Sequence, residues 1–306
     1  MPRVTAIVPN YNHATYLQKR IESIYQQTFK DFEVIILDDC SQDNSREIID
    51  AYRGQPNTRI FFNAQNTGSP FAQWRKGLEQ ANGEFIWIAE SDDYAAPEFL
   101  EQLVQIMDTE PSVGLVYSRS WLINATNKII GDSTVWTDDL DPERWHHSYI
   151  NSGKAEIEQF LLKKNSIPNA SAVLLRAAVA HRVSLPDASY RLCGDWLYWL
   201  RILAESDIAF VPQPLNYWRQ DSSNARVPHA GTLEWLEGKQ VLSYGLDVIG
   251  ADELTRVKTQ FDFLQRCWEW QRTYIEALSE PPPSSPGLSR LKLSYLKRWL
   301  AQAWAK

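Results

Sequence analysis

The sequence predicts an α/β protein in which a mostly parallel sheet is flanked by helices. Two observations support this fold class. Short apolar runs alternate with segments of helical periodicity through residue 118, as parallel strands joined by right-handed crossover helices require. The run Phe85–Ala89 is apolar at every position, which is typical of a central strand covered on both faces.

The elements follow in order from apolar spacing and from turn residues between them. Asn82-Gly83 breaks a helix, and Ser69-Pro70 supplies an N-cap and a first helical residue. The predicted elements of this half are strand 4–8, helix 14–27, strand 32–37, a helix ending near 52, strand 59–62, helix 70–81, strand 85–89, helix 97–107 and strand 113–118.

The pattern is less regular beyond residue 120. A Trp-rich and acidic region over 121–145 predicts loops and short strands over one edge of the site. The remaining predicted elements are helix 156–163, strand 171–176, a helix opening at 193, short strands 208–211 and 215–219, and mainly helix over 233–277.

Composition excludes several classes of protein. The chain has 306 residues, enough for a full core, and a net charge of -7 that disfavours general nucleic-acid binding. Its three cysteines form no C-x-x-C pair, which indicates a reducing compartment rather than a disulfide scaffold. The N-terminus does not read as a signal peptide, and no apolar run approaches the ~20 residues that span a bilayer. We therefore expect a cytoplasmic protein, soluble or peripheral on the inner face of the membrane.

Three carboxylates follow the central strand directly: Glu90, Asp92 and Asp93. They lie where such a strand leaves the sheet, which is the edge where open α/β sheets bind ligands. Carboxylates this close repel one another unless protons or a cation intervene, and hard divalent metals prefer oxygen ligands. The segment indicates a Mn²⁺ or Mg²⁺ site. A solvated acidic turn before the helix at Pro97 is the alternative, and the residues alone leave both open.

Asp195 lies in the first turn of the helix that opens at Cys193. An acid at this position commonly interacts with the helix dipole and has no other role. The residue pattern alone favours that interpretation over a catalytic one.

The C-terminal part is predicted to be organised separately from the core. We expect a domain over 1–225, a helical extension over 226–280, a Pro-rich linker over 281–287 and a basic amphipathic helix over 288–306. The last segment combines apolar residues at helical spacing with Lys and Arg and has no acid. This composition favours an anionic membrane surface. Packing on its own domain or on a partner chain is the alternative.

Six blocks of the sequence, in order and spacing over roughly residues 3–220, resemble family 2 glycosyltransferases of the GT-A fold. The blocks are Ala6–Asn12, Ile36–Ser45, Asn66–Gly68, Lys76–Glu84, Glu90–Asp93 and Gly194–Arg201. The resemblance implies that Pro9 and Tyr11 line a nucleobase pocket, that Asp39 accepts a hydrogen bond from the base and that Asp38 supports this loop. The other donor-binding residues that it implies are Gly68, Arg75, Glu90 and Ser91.

The resemblance also implies roles for the carboxylates. Asp92 matches the principal metal ligand, with Asp93 beside it, and Asp195 matches the catalytic carboxylate. Glu90 departs from the family's aspartate, and its extra methylene could place it on the ribose or on a metal-bound water. Gly194 replaces the usual glutamate before Asp195.

Two arginines match the family pattern only in part. Arg75 is shifted by one residue from the family's arginine. Arg219 lies near the position of a basic residue close to the diphosphate, and a structural role is the alternative for it.

The implied function is an inverting, metal-dependent transferase that moves a sugar from a nucleotide donor, expected to be a UDP-sugar, to a glycan or lipid-linked acceptor in surface polysaccharide assembly. A sugar nucleotidyltransferase would need a glycine-rich phosphate loop after the first strand, and Pro9–Asn12 has no glycine. A catalytically silent nucleotide-sugar or glycan-binding protein of the same fold stays open, since fold does not guarantee activity.

Overall fold

The structure, a computed structural model, describes residues 1–220 and 230–277. In this part of the chain ten strands form one sheet with the order β3-β2-β1-β4-β9-β6-β10-β5, while β7 pairs with β6 and β8 with β10. The strands are Val4–Asn10 (β1), Phe32–Asp38 (β2), Thr58–Phe62 (β3), Phe85–Ile88 (β4), Tyr94–Ala95 (β5), Val113–Ile123 (β6), Ile129–Asp132 (β7), Tyr149–Asn151 (β8), Val173–Arg176 (β9) and Asp207–Arg219 (β10).

Helices cover both faces of the sheet. They are Ala14–Tyr25 (α1), Ser45–Asp50 (α2), Pro70–Gln80 (α3), Phe99–Thr109 (α4), Gly153–Glu156 (α5, continued by a π-helical turn to Leu161), Ala177–Ala180 (α6), Gly194–Leu203 (α7), Ala230–Ile249 (α8) and Glu253–Ala277 (α9).

The first four strands of the sheet order are parallel. β1 pairs with β2 on one side and with β4 on the other, and β3 pairs with β2. The carboxyl ends of β1, β2 and β4 therefore meet at one edge, with Asn10 directly opposite Asp38. This edge is where the sequence predicts ligand binding.

The other half of the sheet is mixed. β9 lies antiparallel between β4 and β6, and β6 pairs in parallel with β10. The two short strands predicted over 208–211 and 215–219 are one strand, β10, so that prediction is wrong in detail. Its pairing shifts register on both sides of Pro214, because proline removes a donor from the ladder.

Two apolar cores lie on opposite faces of the sheet. Successive residues of a strand point to opposite faces, so Ile7 faces α3, α7 and α8 while Ala6 and Val8 face α1, α2 and α4. Trp199 of α7 and Trp87 of β4 are the largest fully buried side chains, one in each core.

The C-terminal part described here is helical, as predicted. α8 and α9 are separated at Gly250, whose positive φ of 68° suits a helix end. The linker over 281–287 and the basic helix over 288–306 lie outside the described residues, and the domain boundaries stay predictions. No helix in residues 1–220 and 230–277 is long and apolar enough to cross a membrane.

Candidate active site

The candidate site lies at the carboxyl edge of β1, β2 and β4. Asp38 ends β2 and Asp39 follows it, and the acidic segment 90–93 comes two residues after β4. The start of α7 lies against α3: a Cβ added to Gly194 would come within 2.6 Å of the Phe71 ring. The fold therefore brings most of the predicted site residues towards one edge.

Asp39 is a buried carboxylate, 3% exposed, with protein donors on both oxygens. Oδ1 accepts from Asn63 Nδ2 at 2.7 Å and from Gln73 Nε2 at 2.9 Å. Oδ2 accepts from the backbone N–H and the hydroxyl of Thr67 at 3.0 and 2.8 Å. Asp39 thus fixes the loop after β3 against the end of β2, which is a structural role that the sequence did not predict.

Asp38 connects the loops after β1 and β2. Its Oδ1 accepts from Asn10 Nδ2 at 2.9 Å and from the Ser41 hydroxyl at 2.6 Å. Asn12 and Cys40 have positive φ angles of 56° and 63°, an uncommon conformation for side-chain-bearing residues. The two loops are therefore held in a defined shape by bonds between them.

Three predicted donor-binding residues lie around this pair of loops. Pro9 is buried within β1, opposite Leu37, whereas Tyr11 is 44% exposed and offers its ring to a ligand. Gly68 has φ +67°, which an L side chain rarely adopts. Its N–H donates to Asn66 Oδ1 at 2.6 Å.

Glu90 is held by α3. Its Oε1 accepts from Trp74 Nε1 at 2.6 Å, and its backbone oxygen accepts from Arg20 Nε at 2.8 Å. Burial, with a smaller contribution from the Asp92 charge, raises the pKa of Glu90 to about 8. Glu90 is then largely protonated at neutral pH, so it is a weaker metal ligand than a free carboxylate.

Asp93 is buried, 2% exposed, and each of its oxygens takes a protein hydrogen bond. Oδ1 accepts from the backbone N–H of Arg219 and Oδ2 from Asn169 Nδ2, both at 2.8 Å. Burial and the neighbouring Asp92 raise its pKa to about 6. In this arrangement Asp93 ties the acidic segment to β10 and to Asn169.

Arg219 has a structural environment, the alternative that the sequence left open. Its Nε donates to Asp92 O, Nη1 to Asn124 O and Nη2 to Asn127 Oδ1, each at 2.7 Å. Arg75 lies on the exposed face of α3, where its Nε is 3.1 Å from Glu79 Oε1. Arg219 therefore contacts the acidic segment through the backbone oxygen of Asp92, whereas the ion pair of Arg75 stays within α3.

Two further residues at this edge, His13 and Arg20, were not predicted from the sequence. His13 Nδ1 lies 2.8 Å from the hydroxyl of Ser91, which is itself buried. Arg20 is fully buried behind the acidic segment, and its Nη1 and Nη2 have no hydrogen-bond partner in the described part of the chain. A signal for Arg20 was present: it lies on the apolar face of α1 between Leu17 and Ile21, where a charge is unexpected.

The acidic segment fits a divalent cation in one specific way. Asp92 is half-buried, and its carboxylate accepts no hydrogen bond within the described residues. Those residues contain no group of three or more His, Cys, Asp or Glu that could hold a metal. Mg²⁺ is commonly bound by one or two carboxylates together with substrate phosphates. The residues present therefore fit a cation that arrives with a diphosphate and do not form a cage of their own.

Asp195 lies in the first turn of α7 and is 7% exposed. Its Oδ2 accepts from Asn165 Nδ2 at 3.2 Å, and its Oδ1 from the backbone N–H of Trp196 at 2.7 Å. α7 also contacts α3 through Trp199, whose ring centroid lies 5.9 Å from that of Trp74. Since Trp74 donates to Glu90, α3 connects the Asp195 helix with the acidic segment.

Comparisons with known proteins agree with this geometry. The family model described as glycosyl transferase family 2 matches residues 5–178. An uncharacterised glycosyltransferase of Nostoc is 33% identical over 243 residues, which are 78% of this chain and 70% of that protein. The poly(ribitol-phosphate) beta-N-acetylglucosaminyltransferase TarS of Staphylococcus aureus is 34% identical over 37% of this chain, and that match spans 20% of TarS.

Two solved structures establish the fold. TarS residues 1–349 in complex with UDP-GlcNAc match with a TM-score of 0.69 at 19% identity, covering 92% of this chain and 76% of that one. A mannosyltransferase of Pyrobaculum calidifontis in complex with GDP-Man and Mn²⁺ matches with a TM-score of 0.57 at 15% identity, covering 98% and 81%. The predicted GT-A fold is confirmed.

Proposed function

The chain belongs to glycosyl transferase family 2, and we propose that it is an inverting glycosyltransferase that moves a sugar from a UDP-sugar to a glycan or lipid-linked acceptor in surface polysaccharide assembly. One observation carries the proposal. The carboxylates of β2, of the segment after β4 and of α7 lie on elements that meet at the carboxyl edge of the sheet, where α/β proteins bind nucleotides.

The donor end of the site consists of the loops after β1 and β2. Tyr11 is the exposed aromatic residue there and stacks on the nucleobase. Asp39 has donors on both oxygens, so it contributes to base recognition mainly by holding the Thr67 loop in place. The UDP specificity is supported by likeness to TarS, whose structure contains UDP-GlcNAc.

The diphosphate end of the site is Asp92. A divalent cation, Mn²⁺ or Mg²⁺, would be held by Asp92 together with the diphosphate and would neutralise charge on the leaving group.

Asp195 performs the proton transfer. The acceptor hydroxyl oxygen forms a bond to the anomeric carbon while the bond from that carbon to the diphosphate oxygen breaks, and the hydroxyl proton moves to Asp195. A single displacement of this kind inverts the anomeric configuration. Asn165 donates to Asp195 Oδ2 and thereby orients the carboxylate, and the proposal assigns Asp195 the role of general base.

The acceptor class is supported by the family and by one relative. TarS is named for transfer of N-acetylglucosamine to poly(ribitol-phosphate). A membrane-bound acceptor would agree with the basic segment over 288–306, which lies outside the described residues. Peripheral attachment to the membrane is part of the proposal.

Donor turnover tests the proposal. The protein is incubated with UDP-GlcNAc, UDP-glucose or UDP-galactose, Mn²⁺ and a mixture of polyprenyl-diphosphate-linked glycans, and release of UDP is measured with product analysis by NMR. We expect release from one donor and a product of inverted anomeric configuration. UDP binding without release from any donor would support a silent binding protein instead.

A further inference from the structure

Glu237 lies on α8 and binds a backbone segment more than 40 residues earlier in the chain. Its carboxylate is 7% exposed and accepts three backbone hydrogen bonds. The donors are the N–H groups of Arg191 at 2.8 Å, Leu192 at 2.9 Å and Cys193 at 2.8 Å. A buried carboxylate with three such donors is a strong, charge-assisted anchor.

These three N–H groups immediately precede α7. Cys193 is the N-cap residue of that helix, and its side chain makes no capping bond. Backbone N–H groups at a helix start have no acceptor within the helix and need one from elsewhere. Of the three groups, the N–H of Cys193 is the one at the helix start, and Glu237 of α8 supplies its acceptor. α8 therefore holds the N-cap residue of α7.

The anchored segment faces the candidate site on two sides. The Ser69 hydroxyl donates to Tyr190 O at 3.2 Å. A Cβ added to Gly68 would lie 4.0 Å from Arg191 Nη2. Asp195 follows Cys193 by two residues, in the first turn of the anchored helix. A small rotation of this helix start would therefore move the proposed base relative to the donor loop.

α8 is itself fixed by packing against α9 and α7. Gly238 packs against the Phe263 ring of α9, and Gly245 lies against Leu162 and Leu200. The Tyr190 hydroxyl also donates to Oε1 of the exposed Gln240 at 2.9 Å, a bond between two side chains that does not involve the backbone N–H groups held by Glu237. The anchor is thus built on a packed helix pair rather than on a loop.

We propose that Glu237 is a positioning residue for the transfer reaction: it fixes the first turn of α7 so that Asp195 meets the acceptor hydroxyl. This rests on the proposed function. The match to the family model ends at residue 178, and Glu237 lies well beyond it, on α8. The residue proposed to position the base therefore belongs to the C-terminal helical part of the chain.

A merely structural role would lower stability and leave the chemistry of the folded enzyme unchanged. A positioning role predicts a loss in kcat much larger than any loss of donor affinity, because Glu237 bonds directly to the segment before α7 and reaches Gly68 and Ser69 on the donor side indirectly, through residues 190 and 191. Misplacing a catalytic group by about 1 Å can cost on the order of 10²-fold in rate. We expect a loss of that size for Glu237→Ala.

The experiment compares Glu237→Gln, Glu237→Ala and the matched variant Gln240→Ala, which removes the neighbouring bond to Tyr190. Readouts are kcat and KM for the donor at saturating acceptor, calorimetric Kd for UDP and amide hydrogen exchange over residues 190–197. Glutamine keeps one acceptor oxygen, so we expect a smaller loss in kcat for Glu237→Gln than for Glu237→Ala. UDP affinity should fall much less than kcat in both variants, and Gln240→Ala should keep the wild-type kcat.

Two results would overturn the inference. One is wild-type kcat in the Glu237 variants, and the other is an equal loss in Gln240→Ala, which would indicate general loosening of α8. If the wild-type protein itself transfers no sugar, the proposed function fails. Hydrogen exchange then still tests the anchor: Glu237→Gln should speed exchange at residues 191–193, and unchanged exchange would refute it. Glu237→Gln also serves if Glu237→Ala does not fold.

Discussion

The two ends of the candidate site are held together by different kinds of contact. At the donor end, Asp38 and Asp39 bond to residues between Asn10 and Gln73, all in the first three strand–helix units. At the transfer end, Asp93 depends on Asn169 and Arg219, and Asp195 on Asn165.

This difference separates the part of the site that the first three strand–helix units build from the part that needs later residues. The donor end is completed mainly by loops that neighbour one another in a parallel sheet, and it meets the later part of the chain at the Ser69–Tyr190 hydrogen bond. The transfer end is completed by long-range contacts, including the Glu237 anchor on α7. Substitutions at the donor end should therefore weaken UDP binding, and substitutions at the transfer end should mainly lower kcat.

The largest expected effect is on catalysis alone. Asp195→Asn removes the proposed base and should lower kcat by about 10²–10⁴-fold, while UDP affinity stays at the wild-type value because the donor loops are untouched. Steady-state kinetics and calorimetry measure the two quantities. Asp252→Asn, at the start of α9, is the matched control. Parallel losses of kcat and UDP affinity in Asp195→Asn would remove the separation between the two ends.

The donor end is tested by Asp39→Asn. The amide replaces an oxygen that accepts from Thr67 or Gln73 with a donor, which leaves a buried N–H group unsatisfied. We expect a loss of stability of about 1–3 kcal/mol and weaker UDP binding, measured by urea unfolding and calorimetry. Asp50→Asn breaks only an exposed pair with Arg53 and is the control. Unchanged stability in Asp39→Asn would contradict the role assigned to its bonds.

A smaller effect is expected at Gly68. Alanine at φ +67° should cost about 1–2 kcal/mol, with weaker UDP binding because the strain falls on the loop that Asp39 holds. Gly54→Ala is a close control, since that glycine has ordinary φ and no atom within 4 Å of an added Cβ. Equal stability of the two variants would mean that the loop can relax at no cost.

The smallest effect is expected for Arg75→Ala. The Arg75–Glu79 pair is solvent-exposed, so its loss should change stability by less than about 1 kcal/mol. UDP affinity should not change if Arg75 stays on the outer face of α3. A clear loss of UDP affinity would instead support the diphosphate contact that the family resemblance implies.

Most of the fold was predictable from the sequence, for a physical reason. Strands such as Phe85–Ile88 are apolar throughout because both of their faces are covered, and the helices between them repeat apolar residues at helical spacing. The division of β10 into two short strands was wrong because Pro212 and Pro214 read as breaks, although the strand continues through them with shifted register.

The site was predictable where sequence motifs and local loops coincide. Asp38 and Asp39 follow a buried strand, and their position at the sheet edge follows from that alone. The contacts of Asp93 with Asn169 and Arg219 could not be foreseen, since those residues are 76 and 126 positions away. The same holds for Glu237, whose partners lie in the segment before α7, more than 40 residues away, and carry no motif.

The most direct test of the account is calorimetric titration of UDP, with GDP, dTDP and CDP for comparison, in the presence and absence of Mn²⁺. The account predicts that UDP alone among these binds tightly and that this binding requires Mn²⁺. Asp92→Asn should lose the Mn²⁺-dependent binding of UDP, whereas Asp252→Asn should retain it. Equal UDP binding with and without Mn²⁺, preference for another nucleotide, or no binding at all would contradict it.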